Sequence, residues 1–563
     1  MIDFRSAVGR FGGGLKASGL SKATAFGVCA GLVVNAVVTG WLGLDFGWHW
    51  DEANLVTGLT AAVKDFSLLP RNYTYGGVYF GIGFLLLAPY SLPFLPEILR
   101  EIAANPTRPL ALDQYPAIVS LQSRLLARVD DPSFLLSSRG AFLVLSSLGA
   151  LWVFAALRKL YDGQWLGAVA AAGFVAASWE VAYHSRFVSP DAVMMQFAAL
   201  TFLLIIVALA ERDHAKIVGW LLAAAGAAGV TFGCKMPGVF TVVPVLAATV
   251  VHHDLRIGIG RRLVLALAVV LLFGVTYFVT TPGSLLDPIR YFGTIAWEGR
   301  SYRTGQGVYA SLRQCRLVLL WLLAVVPSPV VALAIPMSVV TGVGIAALWR
   351  QHRSYFWCSA AFVLAYATFM SAHVLLFVRN WLVFVPLAAI AFGVGVLACH
   401  DFARRRRLPW LLPVLLACVF AYNVAWLWIA AYSIRNSDPA AFAARLIDYM
   451  AGQPQRRFWL SPGAVSISDS DSAKRVVCAQ NGRPSVSESD AVVFLAQEQT
   501  PLLSVFNRPW FYELTIGSHE INYDYYPVWI GRNGAHRIVV LAGDRARKRN
   551  MSLDGYLQCR VRS

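Results

Sequence analysis

The chain has 563 residues, 57% hydrophobic and only 14% charged, with a formal net charge of +17. Soluble globular chains carry about 25% charged residues, so the composition excludes a soluble fold and reads as a polytopic α-helical membrane protein. The positive excess does not point to nucleic acid, because its basic residues fall largely in short clusters between apolar runs, where membrane topology accounts for them.

In chain order, the first 22 residues are basic and Gly-rich, and the apolar run after them lacks a small-x-small cleavage site, which reads as an uncleaved first span. Windows of spanning length lie near 23–44, 140–158, 165–183, 192–210, 217–234, 238–251, 262–281, 317–348, 355–376, 381–399 and 409–433. Together they predict about eleven transmembrane helices. The run at 238–251 is short, and the run at 317–348 is long and interrupted by prolines. Residues 45–138 form a large first outer loop, with an amphipathic stretch, "DEANLVTGLTAAVKDF", and a second apolar stretch at 76–94 broken by Pro89 and Pro93. A full crossing by the second stretch would put every later basic loop outside, so both stretches are read as juxtamembrane helices on or dipping into the outer surface.

Basic segments at 158–163, 211–216, 252–262, 349–353 and 400–407 alternate with mixed-charge segments. The positive-inside rule then predicts a cytoplasmic N-terminus and an extracytoplasmic C-terminus, in a plasma membrane or bacterial inner membrane. Beyond residue 433 the chain turns polar. A helical pattern at 439–452 and strand-like runs at 456–461, 491–496 and 537–543 predict a small extracytoplasmic α/β domain over 434–563, after a membrane domain over 1–433. Cys478 and Cys559 both fall in that outer domain, where an oxidising compartment permits a disulfide; two free thiols are the equal alternative.

Ionisable residues beside membrane spans are costly and mark functional positions. Sorted by side, the outer face collects Asp51 and Glu52 after the first span, His184, Arg186 and Asp191 between the third and fourth, and Lys235 after the fifth. It also collects Asp287, Glu298, Arg300, Tyr302 and Arg303 after the seventh, and His373 and Arg379 between the ninth and tenth. Cations with a few carboxylates at one leaflet boundary suit an anionic lipid head group. Each residue also has a plainer role: Arg186 and Arg379 as snorkelling anchors, Asp191 as a helix N-terminal charge, Asp51 or Glu52 as a cap. Capping needs one acid, and two are present.

The order of these residues resembles the GT-C superfamily of polyprenyl-phosphate-sugar-dependent glycosyltransferases, in its protein O-mannosyltransferase and aminoarabinose-transferase branch. The resemblance rests on "WDEANLVTGLTAAVKD" as the family's first-loop acidic motif and on "PRNYTYGGVYFGIGFLLLAP" (70–89), which contains Tyr75, as its Pro- and Tyr-rich segment. It continues with Arg139 opening the second span, "HSRFVSPDAVMM" (184–195), "GCKMPGV" (233–239), "TTPGSLLDPIRYF" (280–292), "VRNWLVFVPLAAIAFG" (378–393) and "SDPAAFAARLIDYM" (437–450). The mannosyltransferases' His-Pro-Pro motif is absent, with "YGG" (75–77) near its place, and "KMPG" stands for a Thr-Lys-Gly turn.

The resemblance implies inverting transfer of a sugar from a polyprenyl phosphate to a hydroxyl of a lipid, glycan or protein acceptor. By match, Asp51 is the general base and Glu52 orients the acceptor or loop. Arg186, Lys235 and Arg379 hold the donor phosphate, supported by His184, Asp191, Arg139, Tyr75, Glu298, Arg300 and His373. His184, Asp191 and Glu52 are the residues a divalent metal would use, but no ligand spacing such as H-E-x-x-H appears, so no metal or other cofactor is assigned. Rival readings are a transporter or flippase of a lipid-linked anionic head group, against which the scarcity of mid-span charges counts, a non-catalytic scaffold, and an arabinosyl- or oligosaccharyl-transferring relative.

Overall fold

In the computed structural model of the protein the described residues are 21–44, 51–104, 115–252, 258–304, 311–373 and 377–435, with five short strands beyond them. The helices, in chain order, are α1 (Lys22–Trp41), α2 (Glu52–Lys64), α3 (Gly77–Ser91), α4 (Leu95–Ala104), α5 (Pro116–Asp130), α6 (Pro132–Leu160), α7 (Trp165–Ala176), α8 (Trp179–His184), α9 (Pro190–Leu209) and α10 (His214–Cys234). They continue as α11 (Val242–Val251), α12 (Ile259–Thr280), α13 (Gly283–Leu286), α14 (Pro288–Thr304), α15 (Ser311–Ala324), α16 (Val331–Gln351), α17 (Arg353–Ser371), α18 (Val385–Arg405) and α19 (Leu411–Arg435). Three 3₁₀ turns, at Leu92–Phe94, Met236–Thr241 and Val378–Phe384, join or extend them.

Local chemistry sets many of the starts. Ser21 caps α1 by accepting from the Thr24 amide, and Asp213 caps α10 through the Ala215 and Lys216 amides. Asp131 and Ser189 cap α6 and α9, each followed by a proline at the first helical position, where a missing N–H costs nothing.

The chain divides into two compact units, one of Met1–Leu44 with Asp51–Leu427, the other of Asp45–Trp50 with Trp428–Ser563. Nine helices among the described residues are long and apolar enough to cross a membrane, eight of them within the first unit and the ninth, Leu411–Tyr432, starting in it, so this is a polytopic helical membrane protein. In α9 67% of the apolar window is buried, and in the segment containing α18 83%, against 22% in α1 and α12. The first two therefore form the core of the bundle, and the others turn most of their surface outward. Around them α6 packs on α9, α9 on α10, α10 on α12, and α7 and α16 on α18.

The expected eleven spans differ from these nine for definite reasons. The window at 165–183 stops at Ala177, where Ser178 caps α8, leaving α7 only 12 residues long. The window at 317–348 parts between α15 and α16 at Pro327 and Pro329, which cannot continue a helix. It keeps one candidate span, Val331–Gln351, whereas the window at 355–376 gives α17, which is not among the nine. The window at 238–251 gives a 3₁₀ turn and the 10-residue α11. Conversely, Gly77–Ala104, read as a juxtamembrane segment, is long and apolar enough to count as a candidate span, with Pro89 accommodated inside α3.

In the second unit the strands β1 (Phe458–Leu460), β2 (Val476–Ala479), β3 (Ala491–Leu495), β4 (Ile538–Ala542) and β5 (Leu557–Val561) form one sheet in the order β2-β5-β1-β3-β4. The β1–β3 pair is parallel and the other three pairs are antiparallel. The helical pattern read at 439–452 lies outside the described residues.

Helix α16 approaches α18 so closely that a Cβ on Gly344 would collide with the Ala391 carbonyl, and one on Gly395 with the Val340 carbonyl. Gly342, on the same helix, faces open space. Gly344→Val is expected to lower stability by about 1–3 kcal/mol or more, the range for overpacking, while Gly342→Val leaves it unchanged. Thermal unfolding of the two detergent-solubilised variants checks this, and equal melting temperatures would contradict the packing described.

Candidate active site

The acidic pair opens α2, and its two members diverge. Glu52 is fully buried and takes a two-pronged ion pair from Arg139 of α6, Nε to Oε1 at 2.7 Å and Nη2 to Oε2 at 2.6 Å. Its Oε1 also accepts from the Val188 amide at 3.2 Å, and Arg139 donates to the Leu44 carbonyl through Nη1. Glu52 thus ties the first loop to α6 and to the turn between α8 and α9. A carboxylate held by a planar guanidinium fork is fixed in orientation as well as charge. This is a structural tie of the first loop.

Asp51, also fully buried, faces the other way. Its Oδ1 accepts from the Tyr75 hydroxyl at 2.5 Å, its Oδ2 pairs with Arg379, and its backbone carbonyl accepts from the Tyr79 hydroxyl at 2.9 Å. The "YGG" sequence explains how Tyr75 reaches it. A Cβ on Gly76 would strike the Gly233 carbonyl, and one on Gly77 the Thr280 carbonyl. Only glycines let this segment lie against the ends of α10 and α12, where the Gly76 amide donates to the Cys234 carbonyl and the Gly77 amide to the Thr281 hydroxyl. Burial, with the Asp51 anion beside it, pushes the Tyr75 phenol well above its ordinary range despite the opposing pull of Arg379, so it stays protonated and donates.

Arg379 joins Asp51 to a second carboxylate. Its Nε lies 3.7 Å from Oδ2 of Asp191 at the start of α9. Asp191 accepts from Ser189 at 2.7 Å and from Lys235 at 2.8 Å. Lys235, at the extended residue that ends α10, also donates to the Asn380 side chain at 2.8 Å and lies 5.8 Å from the Tyr75 ring centre. Asn380 is held in turn by its carbonyl, which accepts from Tyr366, and by its amide, which donates to Tyr302 at 3.4 Å. The result is one buried cluster of two carboxylates and two cations, drawn from the first loop, the start of α9, the end of α10 and the turn before α18.

The remaining sequence-expected residues fall around it. Glu298 of α14 is half-buried, beside Thr74 and within the field of Lys235 and Arg379; burial raises its carboxyl above the ordinary value. His373 donates through Nδ1 to the Phe369 carbonyl at 2.9 Å and packs its ring edge-on against Tyr302. Arg300 is exposed, with Nε donating to the Ala296 carbonyl on its own helix. Arg186, expected at the phosphate, is fully buried and directs Nη2 to the Thr39 carbonyl of α1 at 2.9 Å. That contact makes it a clamp between α1 and the α8–α9 turn. His184 lies 3.6 Å from Glu180 rather than completing a set with Asp191 and Glu52. No group of three His, Cys, Asp or Glu side chains that could hold a metal occurs among the described residues. The register of β2 and β5 sets Cys478 directly opposite Cys559, and the side chains themselves lie outside the described residues. Asn380, Ser189 and Tyr79 went unnoticed in the sequence. Asn380 had a signal, a neutral polar residue beside Arg379 at the edge of an apolar run.

Residues 131–279 match the family model of the dolichyl-phosphate-mannose-protein mannosyltransferases. That stretch contains Arg139, Arg186, Asp191 and Lys235, and the resemblance to the GT-C mannosyltransferase branch stands. No curated protein matches the chain by sequence. Among solved structures, ArnT from Cupriavidus metallidurans, bound to undecaprenyl phosphate, is 12% identical with a TM-score of 0.49, covering 92% of this chain and 98% of its own. The oligosaccharyltransferase AglB from Archaeoglobus fulgidus, in complex with an inhibitory peptide and a dolichol-phosphate, is 11% identical with a TM-score of 0.45, covering 77% of this chain and 59% of its own.

Removing one partner of a buried ion pair leaves the other charged and unsolvated, a loss of about 3–5 kcal/mol. Arg139→Ala is therefore expected to destabilise the protein by that order. The exposed Arg405→Ala, which breaks an Asp401 pair on the surface of α18, should change stability by less than about 1 kcal/mol. Thermal or denaturant unfolding of both variants checks the contrast.

Proposed function

We propose that the chain is an integral-membrane glycosyltransferase that moves a sugar from a polyprenyl phosphate to an acceptor hydroxyl on the extracytoplasmic side. The observation that carries this reading is the buried cluster of Asp51, Asp191, Lys235 and Arg379. The alternation of basic loops supports an outward-facing site. On the same reasoning residues 434–563 form an extracytoplasmic domain.

In this reading the acceptor oxygen attacks the anomeric carbon while the bond from that carbon to the phosphate oxygen breaks. The electron pair leaves with the phosphate, and the hydroxyl proton passes to Asp51. A single displacement of this kind inverts the anomeric centre. Phosphate is already a good leaving group once its charge is met, so the site needs cations more than an acid. Lys235 and Arg379 supply them, and charge-assisted bonds to phosphate oxygens are the strong kind. Both cations are engaged by carboxylates beforehand, so an arriving phosphate exchanges partners with them. As Arg379 turns toward phosphate, it leaves Oδ2 of Asp51 to the acceptor proton, with Tyr75 still holding Oδ1.

The test uses the purified protein in lipid nanodiscs with a panel of radiolabelled polyprenyl-phosphate sugars, scoring release of the lipid phosphate. The wild type should turn over at least one donor. Asp51→Asn, which leaves Arg379 with Asp191 as its only described carboxylate partner, should lower the melting temperature as loss of a buried ion-pair partner does. Assayed at a temperature where it is still folded, it should lose about 10²–10⁴-fold in rate, the usual contribution of a general base. Lys235→Met should raise the donor KM. An Asp51→Asn variant with wild-type turnover would remove that residue from the base role.

A further inference from the structure

Helix α14 carries a carboxylate on a face that otherwise packs. Tyr291 belongs to the core cluster of Tyr73, Tyr277 and Tyr291, and Ile295 packs against that cluster. Tyr302 receives the Asn380 amide and meets the ring of His373. Residues 291, 295, 298 and 302 fall on one helical face, at offsets of four, seven and eleven. The opposite face is exposed at Ile289, Phe292 and Trp297. Glu298 therefore occupies an inward position between Ile295 and Tyr302, where an apolar residue would satisfy packing.

The neighbours of Glu298 give that position a chemical sense. Thr74, next to Tyr75, lies beside its carboxylate, which feels both Lys235 and Arg379. Asp51 and Asp191, by contrast, are fully buried and directly ion-paired. Glu298 makes no described ion pair and is half-buried, so it is the carboxylate at the cation cluster that an entering hydroxyl compound meets. A carboxylate with a lone pair to spare, beside cations reserved for phosphate, repels the donor head group and accepts hydrogen bonds from hydroxyls.

We propose that Glu298 is an acceptor-binding residue, taking a hydrogen bond from a hydroxyl of a sugar or other polyol and so setting the attacking oxygen against the donor held by Lys235 and Arg379. This rests on the glycosyl-transfer reading and adds to it the residue that recognises the acceptor. No bond is made or broken at Glu298. The charged groups that act on it are Lys235 from the end of α10 and Arg379 from the turn before α18. Its burial favours the neutral form, so acceptor binding should weaken as pH falls through the raised carboxyl value, and Gln in its place should remove that dependence.

The test compares wild type, Glu298→Gln and Glu298→Ala in nanodiscs, using a polyprenyl-phosphate sugar as donor and a series of octyl glycosides as hydroxyl acceptors. Glu298→Gln keeps an acceptor oxygen beside Thr74 and loses the charge. It should raise the acceptor KM about tenfold or more, the effect of losing a hydrogen bond to a charged group, with the donor KM unchanged within twofold and the acid limb of the acceptor kcat/KM profile abolished. Glu298→Ala should show the same split. Equal acceptor KM values in wild type and Glu298→Gln, or a matching loss for donor, would overturn the assignment. Absence of transfer from every donor by the wild type would instead overturn the glycosyl-transfer reading itself, a result distinct from variants that match an active wild type.

Discussion

The interaction on which the site depends is the bridge that Arg379 makes between Asp51 and Asp191. Two carboxylates and two cations are buried together, and each sign is matched by the other. Charges taken out of water stay charged only when paired, and the pairing itself adds little net stability. Such a cluster is costly to build, and the proposed function gives it a use in binding an anion. In the proposed reaction, a phosphate head group would displace a carboxylate from each cation it takes and so bind by exchange of partners. That exchange would couple arrival of the donor to release of Asp51 and disfavour proton transfer before the leaving group is in place.

The rest of the first loop is shaped to hold that bridge. Glu52 and Arg139 lock the start of α2 against α6, and the amide of Val188 brings in the turn before α9. On the other side Gly76 and Gly77 let the chain touch the ends of α10 and α12, which puts Tyr75 on Asp51 and near Lys235. The adjacent acids in "HWDEAN" therefore do different work. One fixes the loop, and the other faces the cations. Arg186 belongs with the first kind, because its described bond runs to a backbone carbonyl of α1.

Composition made the membrane class legible, and the ends of apolar runs made most of the cluster legible. Asp51, Asp191, Lys235 and Arg379 stand out because an ionisable residue beside a span needs a reason to be there. Which cation turns to a carboxylate and which to a carbonyl is decided by packing, so Arg186 and Arg379 read alike in the sequence and differ in space. The candidate spans among the described residues depart from the expected ones where hydropathy is blind to backbone breaks: Ser178 starts a new helix inside one apolar run, and Pro327 and Pro329 shorten another. The inward position of Glu298 needed the helix around it, because in sequence it is one of several charges in a polar loop. The runs containing β1, β3 and β4 are apolar, those of β3 and β4 β-branched as well. β5 is interrupted by glutamine and arginine, and β2 is an apolar run of only four residues.

The measurement that bears most directly on the account is a structure of the full chain with a polyprenyl phosphate bound in nanodiscs. The account predicts phosphate oxygens within hydrogen-bond distance of the Lys235 ammonium and the Arg379 guanidinium, with the Arg379–Asp51 contact opened and Tyr75 still on Asp51. A phosphate seated on the basic segments at 349–353 or 400–407, with the Asp51–Arg379–Asp191 bridge intact, would contradict it.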